Sequence, residues 1–299
     1  MNKVVVNPEN YQNTYLQYLN QCFPNWGNET AYNWVFERKV GENASDILLL
    51  KDENNEVIAG SSITYRIVQL EDKSSINIGI MTGSWTLPQA RGKGCFSQII
   101  EESKRICFSR NVPFLTAFVT ESNASYRRLK EAGFYCKIAD NIFSNEVAFS
   151  TNQDFSSVKI IPVNIDVLHA KYQDLSSHYS TFAYTKEEFK KQYANRLTNT
   201  QCISINQTLF LYEDTGAIIK LLFSSGFNSQ DLVCFCDWMR YKEDKKVMFF
   251  LSDVSKIKIA QKANFHFVKG FLTIQKTHES IIETAEIFKN ISINLGDKM

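Results

Sequence analysis

The order of hydrophobic patterns predicts an α/β (α+β) protein, a mixed and mostly antiparallel central sheet flanked by helices, built in tandem. Three observations carry this. Apolar residues at helical spacing near the N-terminus give way to three strand-like runs joined by short polar turns, the pattern of an antiparallel meander. The third of those runs leads through a glycine-rich turn into a helix-like run and then a short buried strand. Late in the chain, a helix followed by ANFHFVKGFLTI loosely echoes EAGFYCKIADNIF of the first half. At 299 residues the chain is long for one core, so two domains are expected, residues 1–150 and 151–299.

Taken in order, Tyr11, Tyr15, Leu16, Leu19 and Phe23 mark a helix that Pro24 stops. Asn28 or Thr30 is placed to cap a second helix carrying Tyr32, Trp34, Val35 and Phe36. Ile47 to Leu50 reads as a strand, Glu53 to Glu56 as a turn, and Val57 to Val68 as the next strand. A polar connection, Glu71 to Ser75, enters a long strand ending at Leu87. Phe96, Ile99, Ile100, Ser103, Ile106 and Cys107 then lie on one helix face, and Pro113 to Thr120 is a buried strand. Ser122 is the expected N-cap of a short helix that Gly133 ends, and strand residues follow from Tyr135 to about Phe143.

Composition excludes several classes. Thirty-three basic residues against 32 acidic ones give a net charge of +1, so no overall field draws the chain to nucleic acid or to a membrane. The seven cysteines (22, 95, 107, 136, 202, 234, 236) form no CxxC pair and the four histidines are scattered, so neither metal site nor disulfide framework is expected. The start, MNKVVVNPENYQ, has no apolar signal core, and no apolar run approaches the ~18 residues of a membrane span. A cytoplasmic protein with reduced thiols is the expectation.

The informative stretch is Trp85 to Phe96, WTLPQARGKGCF. A strand feeding a glycine-rich turn at a helix N-terminus makes an anion site, because unpaired amides converge, the helix dipole adds positive potential, and glycine lets the ligand approach. A pyrophosphate is the inferred ligand. GxxxxGK[ST] is absent, and a dinucleotide fingerprint lacks its third glycine and its downstream acid, which excludes both of those phosphate loops.

Gln89, Gly92 and Gly94, with Pro88 and Arg91, meet the pattern Gln/Arg-x-x-Gly-x-Gly/Ala, and Asn123 with Gly133-Phe134 meets a later N…GF pattern. In this order and at this separation, residues 82–134 resemble the GNAT (Gcn5-related N-acetyltransferase) superfamily. The resemblance implies an acyl-CoA co-substrate, acetyl-CoA, and no metal. It implies that Trp85, Thr86 and Leu87 offer a strand edge to pantetheine, which Pro88 terminates for want of an N–H. It further implies that the amides from Arg91 to Phe96, including Gly92, Lys93, Gly94 and Cys95, hold the pyrophosphate, with Arg91 or Lys93 reinforcing. Asn123 would reach the pantetheine from the next helix.

Catalysis of direct transfer needs a base for the incoming amine, an acid for the leaving thiolate and a donor for the oxyanion. The family's tyrosine, four residues before the GF glycine, is Leu129 here. Tyr126, one turn earlier, is the expected acid, with Ser125 a second candidate donor, and Glu121 is the nearest acid by sequence for the base. Cys95 reads as a packing residue. In the second half a helix is expected at Lys186–Arg196, strands at 201–206, 208–213 and 217–223, a strand at Leu232–Met239 with Asp237, Trp238 and Arg240 near the cleft, and another at Val247–Leu251. A helix at Asp253–Ala263 and a strand at Val268–Ile274 complete it. With only Lys242 to Lys246 between two central strands, there is no room for a second pyrophosphate turn and helix. The expectation is a degenerate copy without a CoA motif. The resemblance implies an acyl-CoA-dependent N-acyltransferase for a primary amine of a small molecule, such as an amino sugar or sugar nucleotide. The alternatives are a peptide or protein N-acetyltransferase and a non-catalytic CoA-binding module.

Overall fold

The computed structural model describes residues 2–41, 43–144, 154–263, 265–278 and 288–298, so the expected domain boundary at 150/151 lies outside the described residues, as does Asn264. The chain forms two units. The first gathers the chain up to Val68, Ser75–Lys137 and the stretch beginning at Leu272; the second gathers Gln69–Ser74, Ile138–Phe271 and the C-terminal stretch 288–298.

In chain order the elements are β1 (Lys3–Val6), α1 (Gln12–Cys22), α2 (Glu29–Tyr32), β2 (Asp46–Lys51), β3 (Val57–Gln69), β4 (Ser75–Thr86), α3 (Cys95–Ser109), β5 (Phe114–Thr120), α4 (Ala124–Glu131) and β6 (Tyr135–Ile138). There follow β7 (Asp140–Phe143), β8 (Val158–Ile161), α5 (Ile165–Leu175), β9 (Thr181–Ala183), α6 (Lys186–Phe189), β10 (Thr200–Ile205), β11 (Thr208–Asp214) and β12 (Ile219–Ser224). Last come α7 (Ser229–Glu243), β13 (Val247–Leu251), α8 (Val254–Lys262), β14 (His266–Val268) and β15 (Gly270–Lys276). The first sheet runs β1-β2-β3-β4-β5-β15-β6 and the second β14-β7-β13-β12-β11-β10-β8. Each has one parallel pair among the pairings described, β4 with β5 and β12 with β13, each joined by a helix; this is the mixed α/β architecture the patterns predict.

β2 shows why the first unit is layered. Its run Ile47-Leu48-Leu49-Leu50 is apolar throughout because the strand is covered on both faces. Leu48 and Leu50 join Ile99, Ile100 and Cys107 of α3 in one core, while Ile47 and Leu49 join Tyr15 and Leu19 of α1 in another. Period-two alternation thus sorts one apolar run between two helix layers.

Several expectations are corrected. The cap of α4 is Asn123, not Ser122: its side chain accepts the Ser125 amide at 3.1 Å. The far end of α4 closes as expected at Gly133 (φ +83°), where the Gly133 amide bonds Lys130 O and the Phe134 amide bonds Leu129 O. The strand expected at 135–143 is two strands, broken at Ala139, and they enter different sheets. The strand expected at 268–274 likewise breaks after Val268, and the long helix expected from Lys186 is only α6 followed by a π turn, Lys190–Ala194.

The largest correction is Leu232–Met239, which lies inside the helix α7. Its continuous apolar letters hide a helical period: Leu232, Phe235, Cys236 and Met239 are the buried hydrophobic face, and Asn228 caps the first turn by accepting the Gln230 amide at 2.9 Å. Asp237, Trp238 and Arg240 therefore lie on a helix. The second unit does contain a turn and a helix between its two central strands, β12 and β13; it lacks the glycine pattern, not the space.

The C-terminal stretch is fastened inside the second unit. The carboxylate of Asp297 accepts hydroxyls of Tyr172 (2.9 Å), Tyr184 (3.0 Å) and Tyr193 (2.7 Å), all buried. The Asn294 backbone amide at 2.8 Å and its side-chain NH2 at 3.5 Å complete the donors to this buried acid and fully satisfy it.

Candidate functional site

β4 and β5 pair at Ile78–Phe114, Gly79–Leu115 and Ile80–Thr116. Past these positions the strands line a cleft, with Met81–Thr86 on one side and Ala117, Phe118 and Val119 on the other. Gly83 helps to break the pleat. It sits at φ +58° within β4, and a Cβ there would come within 2.7 Å of the Phe36 ring, so no other residue fits. Its carbonyl accepts the Tyr15 hydroxyl at 2.8 Å, and the Thr82 carbonyl accepts that of Ser62 at 3.0 Å. These two carbonyls are thus taken by side chains of the chain itself.

The floor of the cleft is the turn into α3. Gly92 (φ +80°) and Gly94 (φ +75°) are both left-handed, and a Cβ on either would meet nothing within 4 Å, so the turn opens outward. Gly94 is the N-cap of α3 and offers no side chain, whereas α4, α7 and α8 are capped by Asn123, Asn228 and Asp253. The amides of Cys95, Phe96 and Ser97 precede the first α-helical bond, Gln98 N–H to Gly94 O at 3.2 Å. Two amides expected to serve an anion are turned elsewhere: Arg91 bonds Pro88 O at 3.3 Å and Lys93 bonds Ala90 O at 3.4 Å. The donor set is therefore narrower than the whole run from Arg91, and centres on Gly92 and the first turn of α3.

Side chains close the cleft from two directions. Leu19, Cys22, Phe23 and Trp26, from α1 and the loop after it, form an apolar and aromatic wall. Asn123, Ala124, Ser125, Arg127, Arg128 and Leu129 face them from α4. The Arg91 guanidinium is tied to the mouth by Nε donating to Thr86 O at 3.3 Å. Arg128 pairs with Glu131 at 2.7 Å. Among the described residues lining the cleft there are three arginines and no carboxylate, histidine or tyrosine. Burial pushes the thiols of Cys22 and Cys95 upward from their ordinary range, which makes both poor nucleophiles.

Of the residues singled out in the sequence, the cleft brings together Trp85, Thr86, Arg91, Gly92, Gly94, Cys95, Phe96 and Asn123. Leu87 is buried against α1, with its amide donating to Ile58 O at 3.0 Å. Gln89 lies exposed on the short turn Pro88–Ala90, and Lys93 is also exposed. Tyr126 is half-buried and Glu121 exposed, and neither is among the lining residues; Ser125 is. The Asn123 carboxamide oxygen is engaged in its cap, so its NH2 is what remains for a ligand. Sequence reasoning missed the α1 wall and the two arginines. The spacing Leu19, Cys22, Phe23 is itself a helix face, but nothing in it distinguishes core from cleft.

Compared with solved structures, the chain superposes on a GCN5-related N-acetyltransferase from Anabaena variabilis with a TM-score of 0.64 at 14% identity, covering 93% of this chain and 73% of that one. It has the GCN5-related N-acetyltransferase fold. A tandem GNAT protein from the clavulanic acid biosynthesis pathway matches with a TM-score of 0.63 at 10% identity, over 94% of this chain and 100% of the other. Saccharomyces cerevisiae N-myristoyltransferase with bound myristoyl-CoA matches at 0.60 and 9% identity, over 93% and 83%. No family model matches the sequence, and no curated protein matches it. The GNAT likeness is thus one of fold, carried by backbone geometry after most sequence identity has gone. No helix among the described residues is long and apolar enough to cross a membrane.

Proposed function

We propose that the chain is an acyl-CoA-dependent N-acyltransferase that works in the cytoplasm, takes acetyl-CoA as donor and acylates a primary amine of a small molecule, an amino sugar or sugar nucleotide. The observation that carries this reading is the uncapped start of α3, behind two left-handed glycines, opening onto the splay of β4 and β5. Its amides suit a pyrophosphate, and Arg91, Arg127 and Arg128 add positive charge nearby. A helix dipole alone contributes only ~0.3–1 kcal/mol at an exposed end, so converging amides do most of the holding. Trp85 and Thr86 offer backbone to the pantetheine arm, and the Asn123 NH2 reaches it from α4. The second unit carries no CoA of its own.

In the transfer, the amine nitrogen forms a bond to the acyl carbon, the carbon–sulfur bond breaks, and the amine loses a proton while CoA leaves as thiolate. Ser125 or Tyr126 donates to the departing sulfur, and Glu121, the nearest acid by sequence, relays the amine proton through water. One observation favours a second reading, a CoA-binding module without transfer: the described residues lining the cleft include no carboxylate, histidine or tyrosine. Thiol release from acetyl-CoA, followed over amino sugars, sugar nucleotides, simple amines and peptides, separates the readings. Release stimulated by an amino sugar or sugar nucleotide is the expected result. CoA binding without release for any acceptor would establish the second reading instead. In an active protein, Ser125→Ala and Tyr126→Phe identify the donor: the expected outcome is a roughly tenfold or greater loss of kcat in one of them.

A further inference from the structure

The segment after α1 holds two aromatic rings at the cleft. Phe23-Pro24-Asn25-Trp26 closes as a turn in which the Trp26 amide donates to Phe23 O at 3.0 Å. Pro24 takes the second position and Asn25, left-handed at φ +62°, the third, which is the arrangement of a type II turn. Asn20 of α1 pins Gly27 twice: its Nδ2 donates to Gly27 O at 2.8 Å and its Oδ1 accepts the Gly27 amide at 3.2 Å. Asn28 caps α2 by accepting the Ala31 amide at 3.1 Å, so the far end of the segment is tied as well. The Trp26 indole stacks on Phe36, with ring centres 5.7 Å apart and planes 16° from parallel. Phe36 is also the ring that a Cβ on Gly83 would strike, so the indole is seated, through one ring, on the kink of β4.

This tied segment leaves its rings in reach of solvent. Phe23 is 46% exposed, and both Phe23 and Trp26 line the cleft. With one face of the indole on Phe36, the opposite face and the edge are what the cleft meets. Holding two rings in place while leaving them partly exposed adds little to the core; it lowers the cost of stacking a ligand on them. The wall across from them is polar, with the carboxamide of Asn123, the hydroxyl of Ser125 and the guanidinium of Arg127 supplied by α4. At about 620 Å³ the cleft is in the size range of small-molecule sites. The matching ligand is apolar on one flat side and rimmed with hydrogen-bonding groups. A pyranose ring has this form, with C–H bonds over its face and hydroxyls around its edge.

We propose that Phe23 and Trp26 are the platform on which the acceptor's pyranose ring stacks, and that they select a cyclic amino sugar over an open-chain amine. The proposal rests on reading the cleft as an acyl-CoA site with an amino-sugar acceptor, and it names the residues that recognise the ring.

Methyl glucosaminide and glucosaminitol carry the amine on the same carbon, with and without the ring. Each is titrated into the full chain and followed by NMR, with CoA present so that no acyl group moves. The expected result is saturable binding of the glucosaminide, with the open-chain amine weaker by about tenfold. Trp26→Ala should bind the glucosaminide about tenfold more weakly and Trp26→Phe should stay within about threefold of the parent, with CoA affinity unchanged in both. Thermal unfolding confirms that each variant is folded when it is titrated. Equal affinity for ring and open chain, an unaltered Trp26→Ala, or no saturable binding of the glucosaminide would each overturn the proposal. Loss of CoA affinity in Trp26→Ala would assign the ring to the donor and overturn it too. Acyl transfer stands or falls separately. Trp26-dependent binding without thiol release from acetyl-CoA keeps the platform and overturns transfer, whereas thiol release that Trp26→Ala leaves untouched keeps transfer and overturns the platform.

Discussion

At the scale of single residues, the proposed cradle rests on Gly92 and Gly94: RGKG between a strand and a helix marks the turn in the letters, and the structure adds that both glycines are left-handed. The two open positions also permit a clean electrostatic test. Asparagine tolerates a left-handed backbone and has nearly the shape of aspartate. Gly92→Asn should therefore fold and keep most of its affinity for CoA, while Gly92→Asp places a carboxylate at the anion site and should bind at least about tenfold more weakly than the asparagine variant. Equal affinity for the two would remove Gly92 from the site. What the letters did not reveal is which amides are spent locally. The amides of Arg91 and Lys93 are tied down by carbonyls only three residues back, a detail of turn geometry that spacing cannot express.

At the scale of elements, α4 carries two duties on one residue. Asn123 caps the helix with its oxygen and also lines the cleft. Asn123→Asp keeps the cap oxygen and removes the donor; Asn123→Ala removes both. The aspartate variant should match the parent in thermal stability yet bind CoA more weakly, whereas the alanine variant should also lose about 1 kcal/mol of stability. Denaturant titration and CoA binding, measured on both, check the separation. Elements with a strong period were legible: α1, α3, β2 to β5 and the Gly133 end of α4. α7 was not, because LVCFCDWM reads as strand when its apolar residues are counted along the chain. Only the polar faces of the flanking turns, with Asn228 before and Lys242 after, show that the run is one side of a longer helix. The breaks at Ala139 and Lys269 were equally hidden, since a strand changing sheets keeps its composition while its partners change.

At the scale of the whole molecule, the second unit holds its C-terminal stretch against a cost. Lys298, beside the clamped Asp297, donates to Asn141 Oδ1 at 3.1 Å and lies 4.1 Å from the Phe250 ring centre. Burial, with a smaller contribution from Lys220, lowers its pKa from 10.5 to about 8. Between those values the unfolded chain holds a proton that the folded one has released, so stability rises with pH across that window and the penalty is fully present below it. The difference in unfolding free energy between the parent and Lys298→Met should therefore shift in the parent's favour from about pH 8 to pH 10.5, by on the order of 1 kcal/mol per pH unit. Chemical denaturation at a series of pH values measures it, and a flat difference would show that this lysine does not titrate with folding.

The exchange of closing strands sets the timetable on which the molecule is made. β15 completes the first sheet from the far end of the chain, and β7, leaving the first half, is a central strand of the second. A nascent chain emerging from the ribosome therefore has α3, β5 and α4 in hand long before the strand that belongs between β5 and β6 exists. The cleft between β4 and β5 can form in outline while its sheet still has a gap at β15, which stays open until Leu272 and its neighbours are synthesised. The first sheet is thus complete only once β15 has been made, and a fragment cut near residue 150 would be an unfinished sheet.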